Sequence, residues 1–231
     1  MMDSTRPPGG IPNVWVDRIT YWLTAFARWF GAHWLSVANT ALALYIGLPV
    51  LAALLMNIGA EVPARIIYTL FRPLCHQMPE RSFFLFGEQI TYSYEYLSEA
   101  LGGAVPHRYM GNAELGFKIA VCQRDVAIYG SALLGGLLFA GVRRYLRPLP
   151  LRWAAVMTLP MAVDGLGQLF GLWSSTWVSR VITGSLFGLM LIWVGFPHLE
   201  RGMREVEQDT SRTLAQLRVR AARGDESQVA G

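Results

Sequence analysis

Charge is what this sequence has least of. Charged residues make up 16% of its 231 positions, against about 25% in an ordinary soluble domain. Lysine is almost missing: Lys118 stands alone beside 19 arginines and 16 acids. The net charge of +4 is small and scattered, which excludes a nucleic-acid surface, where basic residues gather on one face. Cysteine is scarce too. Cys75 and Cys122 are the only two, too few for a disulfide-dense scaffold and not spaced as a C-x-x-C redox, zinc or haem motif. A hydrophobic content of 53% excludes extended disorder. What remains is a polytopic membrane protein.

The charge that is present leaves long gaps. No Asp, Glu, Lys or Arg occurs from Trp29 to Ala60, and within that gap Leu35–Gly59 is long and apolar enough for a membrane helix, which needs about 20 such residues. Ile119–Val142 reads as a second span, with Arg124 and Asp125 near its start. Trp153–Trp173 reads as a third, interrupted by Asp164, and Trp177–Pro197 as a fourth. Four such runs joined by short links predict an all-α membrane protein, a four-transmembrane-helix bundle. The small-residue pairs Gly167/Gly171, Gly184/Gly188, Ser131/Gly135 and Ala132/Gly136 predict close helix contacts.

Basic residues set the direction. The link Val142–Arg152 carries Arg143, Arg144, Arg147 and Arg152 and no acid, so the positive-inside rule makes it cytoplasmic. Four spans then put both termini in the cytoplasm and residues 60–117, with six acids against four arginines, outside the cell membrane. The N-terminal stretch lacks the basic n-region and cleavage site of a signal peptide. Trp15, Ile19, Trp22, Phe26 and Trp29 recur at helical spacing, which fits an amphipathic helix on the inner membrane surface or one packed on the spans. A second amphipathic helix is expected before Cys75. The expected division is an amphipathic segment 1–34, a membrane domain 35–199 with the outer segment 60–117, and a polar cytoplasmic tail 200–231. In that tail Glu200 and Arg204 stand in the favourable i,i+4 order. Tyr92, Tyr94 and Tyr96 alternate with polar residues and read as an outer hairpin or loop.

Polar side chains are costly in a membrane protein, so their placement carries the functional signal. They gather toward the outer side: Cys75, His76, Gln77, Glu80 and Arg81 in the outer segment, Cys122, Arg124, Asp125 and Tyr129 where the second span begins, Asp164 and Gln168 in the third, and Arg180 in the fourth. Cys75, His76, Cys122 and Asp125 offer four ligands to zinc or another divalent metal. A disulfide in an oxidising compartment and two inert thiols are the competing readings of the cysteines. Arg81, Arg124 and Arg180 are suited to clamp an anionic headgroup or carboxylate. Asp164 should face the bundle interior and pair with Arg124, the nearest arginine in depth, or with Arg180.

These residues also carry a resemblance. The blocks C-H-Q-x-P-E-R-S-F-F at Cys75–Phe84, C-x-R-x-x-x-I-Y-G at Cys122–Gly130, D-G-x-x-Q at Asp164–Gln168 and R-x-x-T-G at Arg180–Gly184 resemble the bacterial and archaeal membrane family called domain of unknown function 2085. The resemblance spans roughly Leu70–Leu189. The family pattern reads C-x-R-C-T-G in the second block, where this chain has Asp125 and Ala127, and the stretch Glu88–Phe117 is longer than the family's. The resemblance implies a prokaryotic multi-pass membrane protein and no activity. Three functions therefore stand side by side. The first is a site for a divalent metal or small anionic ligand opening to the outer face, catalytic or not. The second is a non-catalytic subunit of a membrane complex with a protein partner, and the third a small transporter. Membrane lipid is the expected partner in all three; nucleic acid is not.

Overall fold

The computed structural model describes the backbone of residues 14–229 and the side chains of Trp15 and of residues 18–219. Six helices and three short strands follow one another: α1 (Val14–Asn57), α2 (Glu61–Phe71), β1 (Ser82–Leu85), α3 (Tyr94–Ala100), β2 (Gly111–Asn112), β3 (Gly116–Cys122), α4 (Gln123–Val142), α5 (Leu151–Leu169) and α6 (Trp177–Val229). Among the described residues three helices are long and apolar enough to cross a membrane: α1 within Arg18–Asn57, α4, and α6 within Trp177–Val219. Helix α5 is 19 residues long and is not one of the three, because Arg152, Pro160, Asp164 and Gln168 dilute its apolar run.

Three expectations need correcting here. The outer segment is not all-α: β1, β3 and β2 form an antiparallel sheet in the order β1-β3-β2. The run Ile119–Cys122, expected to open the second span, is strand, and the helix begins only at Gln123. A short apolar run cannot be assigned to helix or strand by periodicity alone. Conversely, Tyr94 and Tyr96 lie in α3, not in a hairpin. Ser93 caps that helix by accepting a hydrogen bond from the Tyr96 N–H at 3.2 Å, the satisfaction of an orphan amide that Ser favours. Tyr92 is buried and stacks on Tyr96 with ring centres 5.3 Å apart.

The chain divides into two compact units, one holding the described residues up to Trp34 and from Leu199 onward, the other Leu35–His198. In the first unit, Trp34 Nε1 donates to Glu200 Oε2 at 3.0 Å and Arg204 pairs with Glu200 Oε1 at 2.7 Å. A Cβ on Gly31 would sit 2.9 Å from the Met203 carbonyl oxygen, so these helix stretches touch backbone to backbone. Trp15, Ile19, Trp22, Phe26 and Trp29 are all exposed. No break separates this aromatic stretch from the rest of α1.

In the second unit α6 lies against α4 through one of the expected glycine pairs. A Cβ on Gly184 would come within 2.9 Å of Ala127 Cβ, and one on Gly188 within 2.2 Å of the Ile128 carbonyl oxygen. Gly167 and Gly171 do something else. Gly167 accommodates the Trp173 ring, and Gly171, at φ +69°, ends α5 in the left-handed conformation that glycine adopts at no steric cost. Large apolar side chains remain exposed on the outward faces of α4 (Leu134, Leu137, Leu138), α5 (Val156, Leu159, Leu166) and α6 (Ile182, Leu191). Apolar surface on this scale is the signature of a protein solvated by lipid.

Candidate functional site

The sheet is what brings the two cysteines together. Helix α2 stops at Phe71: Arg72 caps it with helical backbone angles, its N–H donating to the Thr69 carbonyl, and Pro73, which has no N–H to give, cannot carry the helix further. The chain then runs irregularly through Cys75 and His76, turns at Gln77 with φ +56°, makes one 3₁₀ turn at Pro79–Arg81 and enters β1. Strand β1 pairs with β3 so that Ser82 faces Cys122, while Phe84 faces Lys118. Two residues of β1 therefore match four of β3, and this bulge delivers Cys122 to the start of α4. Cys122 is itself the N-cap of α4, its sulfur accepting from the Asp125 N–H at 3.4 Å.

Both thiols are free, and Cys75 is buried among Phe71, Ile119 and Val121. Its sulfur accepts from the Cys122 N–H at 3.3 Å. The Cys122 S–H donates to it as well and lowers the Cys75 thiol below its ordinary range; the Gln77 N–H adds to this, while burial and Asp125 work against it. Cys122 is pushed up, first by giving its proton to that shared bond, then by burial and the Asp125 charge. Left-handed backbone is uncommon for a residue other than glycine. At Gln77 it aims the amide at the Cys75 sulfur, while the side chain donates to the Tyr68 carbonyl at 2.8 Å.

The Sγ atoms of Cys75 and Cys122 and a carboxylate oxygen of Asp125 all lie within 4.8 Å of one another. His76 does not join them. It is exposed, and it lines the same cavity of about 320 Å³ with Gln77, Met78 and Arg81. Tyr129 is not among the residues that line that cavity and packs on Tyr45 with ring centres 4.1 Å apart.

Lys118, the lone lysine, sits directly behind Cys75 and was not among the expected site residues. It is 1% exposed, and its Nζ donates to the Gln77 carbonyl oxygen. Tyr68, whose hydroxyl burial keeps protonated, donates to the Lys118 carbonyl at 2.5 Å. The one signal available was a single lysine inside the apolar run Gly116–Cys122. Burial lowers Lys118 from 10.5 to about 8; Cys75 and Glu80 oppose this and Arg72 adds to it. Below pH 8 both folded and unfolded chains carry the proton, and the fold bears the full cost of a buried ammonium. Between about 8 and 10.5 the folded chain is neutral while the unfolded one is still protonated, so stability rises with pH. The shift corresponds to roughly 3 kcal/mol across that window. Thermal unfolding in detergent should show this rise in the wild type and not in Lys118→Met. Parallel pH profiles of the two proteins would refute it.

The remaining expected residues form a second polar group. Arg124 pairs with Asp164 at 2.5 Å, and Asp164 also accepts from Ser175 Oγ at 2.7 Å and Ser179 Oγ at 3.3 Å. Gln123 is 1% exposed and was also not foreseen. Its amide donates to the Ser82 carbonyl at 3.1 Å and its oxygen accepts from Arg180 Nη1 at 3.0 Å. Gln168 and Arg180 line a cavity of about 400 Å³ with Glu80 and Arg81. Asp164 does not line it and lies behind Ser175.

Membrane-length helices around a thiol–carboxylate cluster define the class: a multi-helix membrane protein with a polar site at one end of its spans. Comparison with known proteins agrees. The family model described as a predicted membrane protein, DUF2085, matches residues 114–194. An uncharacterised protein of the archaeon Methanocaldococcus jannaschii is 31% identical over 133 residues, which cover 57% of this chain and 67% of the relative. The chain belongs to that family. The matched segment holds Cys122, Asp125, Asp164 and Arg180; Cys75 lies before it. No solved structure matches the chain.

Proposed function

We propose that this protein holds one borderline-soft divalent metal ion, zinc or a close relative, on Cys75, Cys122 and Asp125, with the fourth position open to the cavity that His76, Met78 and Arg81 line. The reading rests on the convergence of two sulfurs and a carboxylate oxygen within 4.8 Å. Tetrahedral zinc, with bonds of about 2.0–2.3 Å, needs ligand edges of about 3.3–3.8 Å, so the set closes by about 1 Å at its widest. Charge argues the same way. Two thiolates and a carboxylate this close cannot all ionise without a cation, and the Cys75–Cys122 shared proton is what a metal would displace. Three protein ligands and an open position describe a site that can take a small anion or activate a water.

The test is elemental analysis of full-length protein purified in detergent under reducing conditions. About one metal ion per chain is expected in the wild type and none in Cys75→Ser. A folded, reduced wild type without stoichiometric metal would end the proposal.

The site is assigned to the outer side of the cell membrane by a topology we also propose. Here α5 is the fourth span, the exposed arginines Arg143, Arg144, Arg147 and Arg152 mark a cytoplasmic link, and both termini are cytoplasmic. The exposed aromatic face from Trp15 to Trp29 then meets the inner interface, where Trp is favoured. A cysteine placed by Ser98→Cys should react with an impermeant thiol reagent in intact cells, and one placed by Ser227→Cys should not. The reverse pattern would invert the assignment.

A further inference from the structure

The cavity between the β1 entry and the start of α6 is separate from the thiol cluster, and its chemistry points elsewhere. Arg180 lines it and is more than nine-tenths buried. A buried guanidinium normally has a carboxylate partner, but Arg180 has none. Its one side-chain hydrogen bond among the described residues goes from Nη1 to the Gln123 side-chain oxygen. Asp164, the nearby acid, is already taken by Arg124, Ser175 and Ser179. The cationic neighbours of Arg180 are Arg81 and Arg124, both of which repel it. Arg81 lines the same cavity, and its side chain makes no hydrogen bond or ion pair among the described residues.

The first turn of α6 adds to the positive field. Thr176 caps it by accepting from the Ser179 N–H at 3.2 Å, and Thr176 and Trp177 line the cavity. A helix start of this kind favours an anion. Two carboxylates, Glu80 and Glu95, are also on the wall, and neither pairs with an arginine there. Four formal charges on the wall thus cancel, two of each sign. A singly charged tetrahedral oxyanion that brings its own ammonium leaves this balance intact, whereas a free trianion or dianion does not. The volume, about 400 Å³, is right for a headgroup and too small for a peptide or nucleotide polymer.

We infer that this cavity is a binding site for a phosphodiester bearing a primary amine, the phosphate held by Arg180 and Arg81 at the start of α6 and the ammonium facing Glu80 and Glu95. Guanidinium groups suit the phosphate because each presents a planar fork of donors to two oxygens. Gln123 is the positioning residue. By bonding Ser82 on one side and Arg180 on the other, it holds the two arginine-bearing segments to α4. The ligand chemistry has two sources, the headgroup of a phospholipid or a soluble glycerophosphodiester.

The test uses full-length protein in a phosphate-free maltoside detergent. It is titrated calorimetrically with glycerophosphoethanolamine and, separately, with micelles doped with phosphatidylethanolamine. Saturable one-site binding of at least one probe is expected. Binding of both assigns the site to the soluble diester; binding of the lipid alone assigns it to the membrane headgroup. Arg81→Gln, which removes no hydrogen bond or ion pair among the described residues and should fold, is expected to weaken binding at least about tenfold. Arg180→Lys, which keeps the charge and loses the fork, should weaken it too. Absence of saturable binding of either probe, or unchanged binding in both variants, would overturn the assignment. Because Arg81 also borders the thiol cavity, metal content is measured on the same samples, so the fate of the metal reading is scored separately.

Discussion

Replacing Arg124 by alanine is expected to destabilise the Leu35–His198 unit by about 3–5 kcal/mol, the cost of leaving a buried charge without its partner. The Arg124 and Asp164 side chains are 19% and 11% exposed and meet at 2.5 Å. They join α4 to α5 across 40 positions of sequence. Without Arg124, the Asp164 carboxylate keeps its bonds from Ser175 and Ser179 but loses the only cation bonded to it among the described residues. Asp164→Ala is expected to cost as much, because Arg124 Nε is already buried with no partner and the whole guanidinium would follow. Asp164→Asn keeps an acceptor for both serines and should cost less, about 1–2 kcal/mol. The double variant Arg124→Met, Asp164→Leu should recover much of the loss, since apolar replacement of a buried pair is often neutral. Thermal unfolding of the four variants and the wild type in one detergent decides the matter. Single variants within about 0.5 kcal/mol of wild type would mean that the pair is a surface contact of ordinary strength.

That pair was legible in the sequence because the physics of a membrane interior leaves few options. An acid at mid-helix must face inward and find a cation, and depth along the helices left Arg124 as the nearest. The thiol cluster was legible in part. Its members were identified by residue type and by their place in polar blocks, and Cys75 and Cys122 meet as their shared depth implied. His76, by contrast, follows Cys75 in an irregular segment that leaves it exposed and outside the cluster, a geometry residue types do not specify. The sheet was invisible for a different reason. Gly116–Cys122 is as apolar as a membrane helix, and only its pairing with β1, a tertiary event, makes it strand. Lys118 and Gln123 were overlooked through the same error. Placed in or beside a helix they read as an interfacial lysine and a neutral polar residue. With Lys118 inside a buried strand and Gln123 at the first position of α4, one anchors the Gln77 turn and the other bridges β1 to α6.

Asp125→Cys is expected to tighten metal binding, and Asp125→Ala to weaken it, each by about 10–100-fold for a borderline-soft ion. Asp125 is the third residue of α4, and its own N–H is fixed by the Cys122 sulfur, so the backbone at this ligand position is already anchored. A cysteine there presents its sulfur one atom closer to the backbone than the carboxylate oxygen. A metal–sulfur bond of about 2.3 Å against about 2.0–2.2 Å for oxygen recovers part of that reach. Softer ligation should also change which ion is preferred, favouring zinc over harder cations in the variant more than in the wild type. Affinity should rise with pH in both proteins, because every proton on the thiols competes with the ion. Competition against a chromophoric chelator, at two pH values and for two metals, reads all of these at once. If Asp125→Cys and Asp125→Ala bind alike, Asp125 is not a ligand. The thiols would then hold the ion alone or not at all, and the carboxylate would act only as the neighbouring charge that keeps the Cys122 thiol protonated.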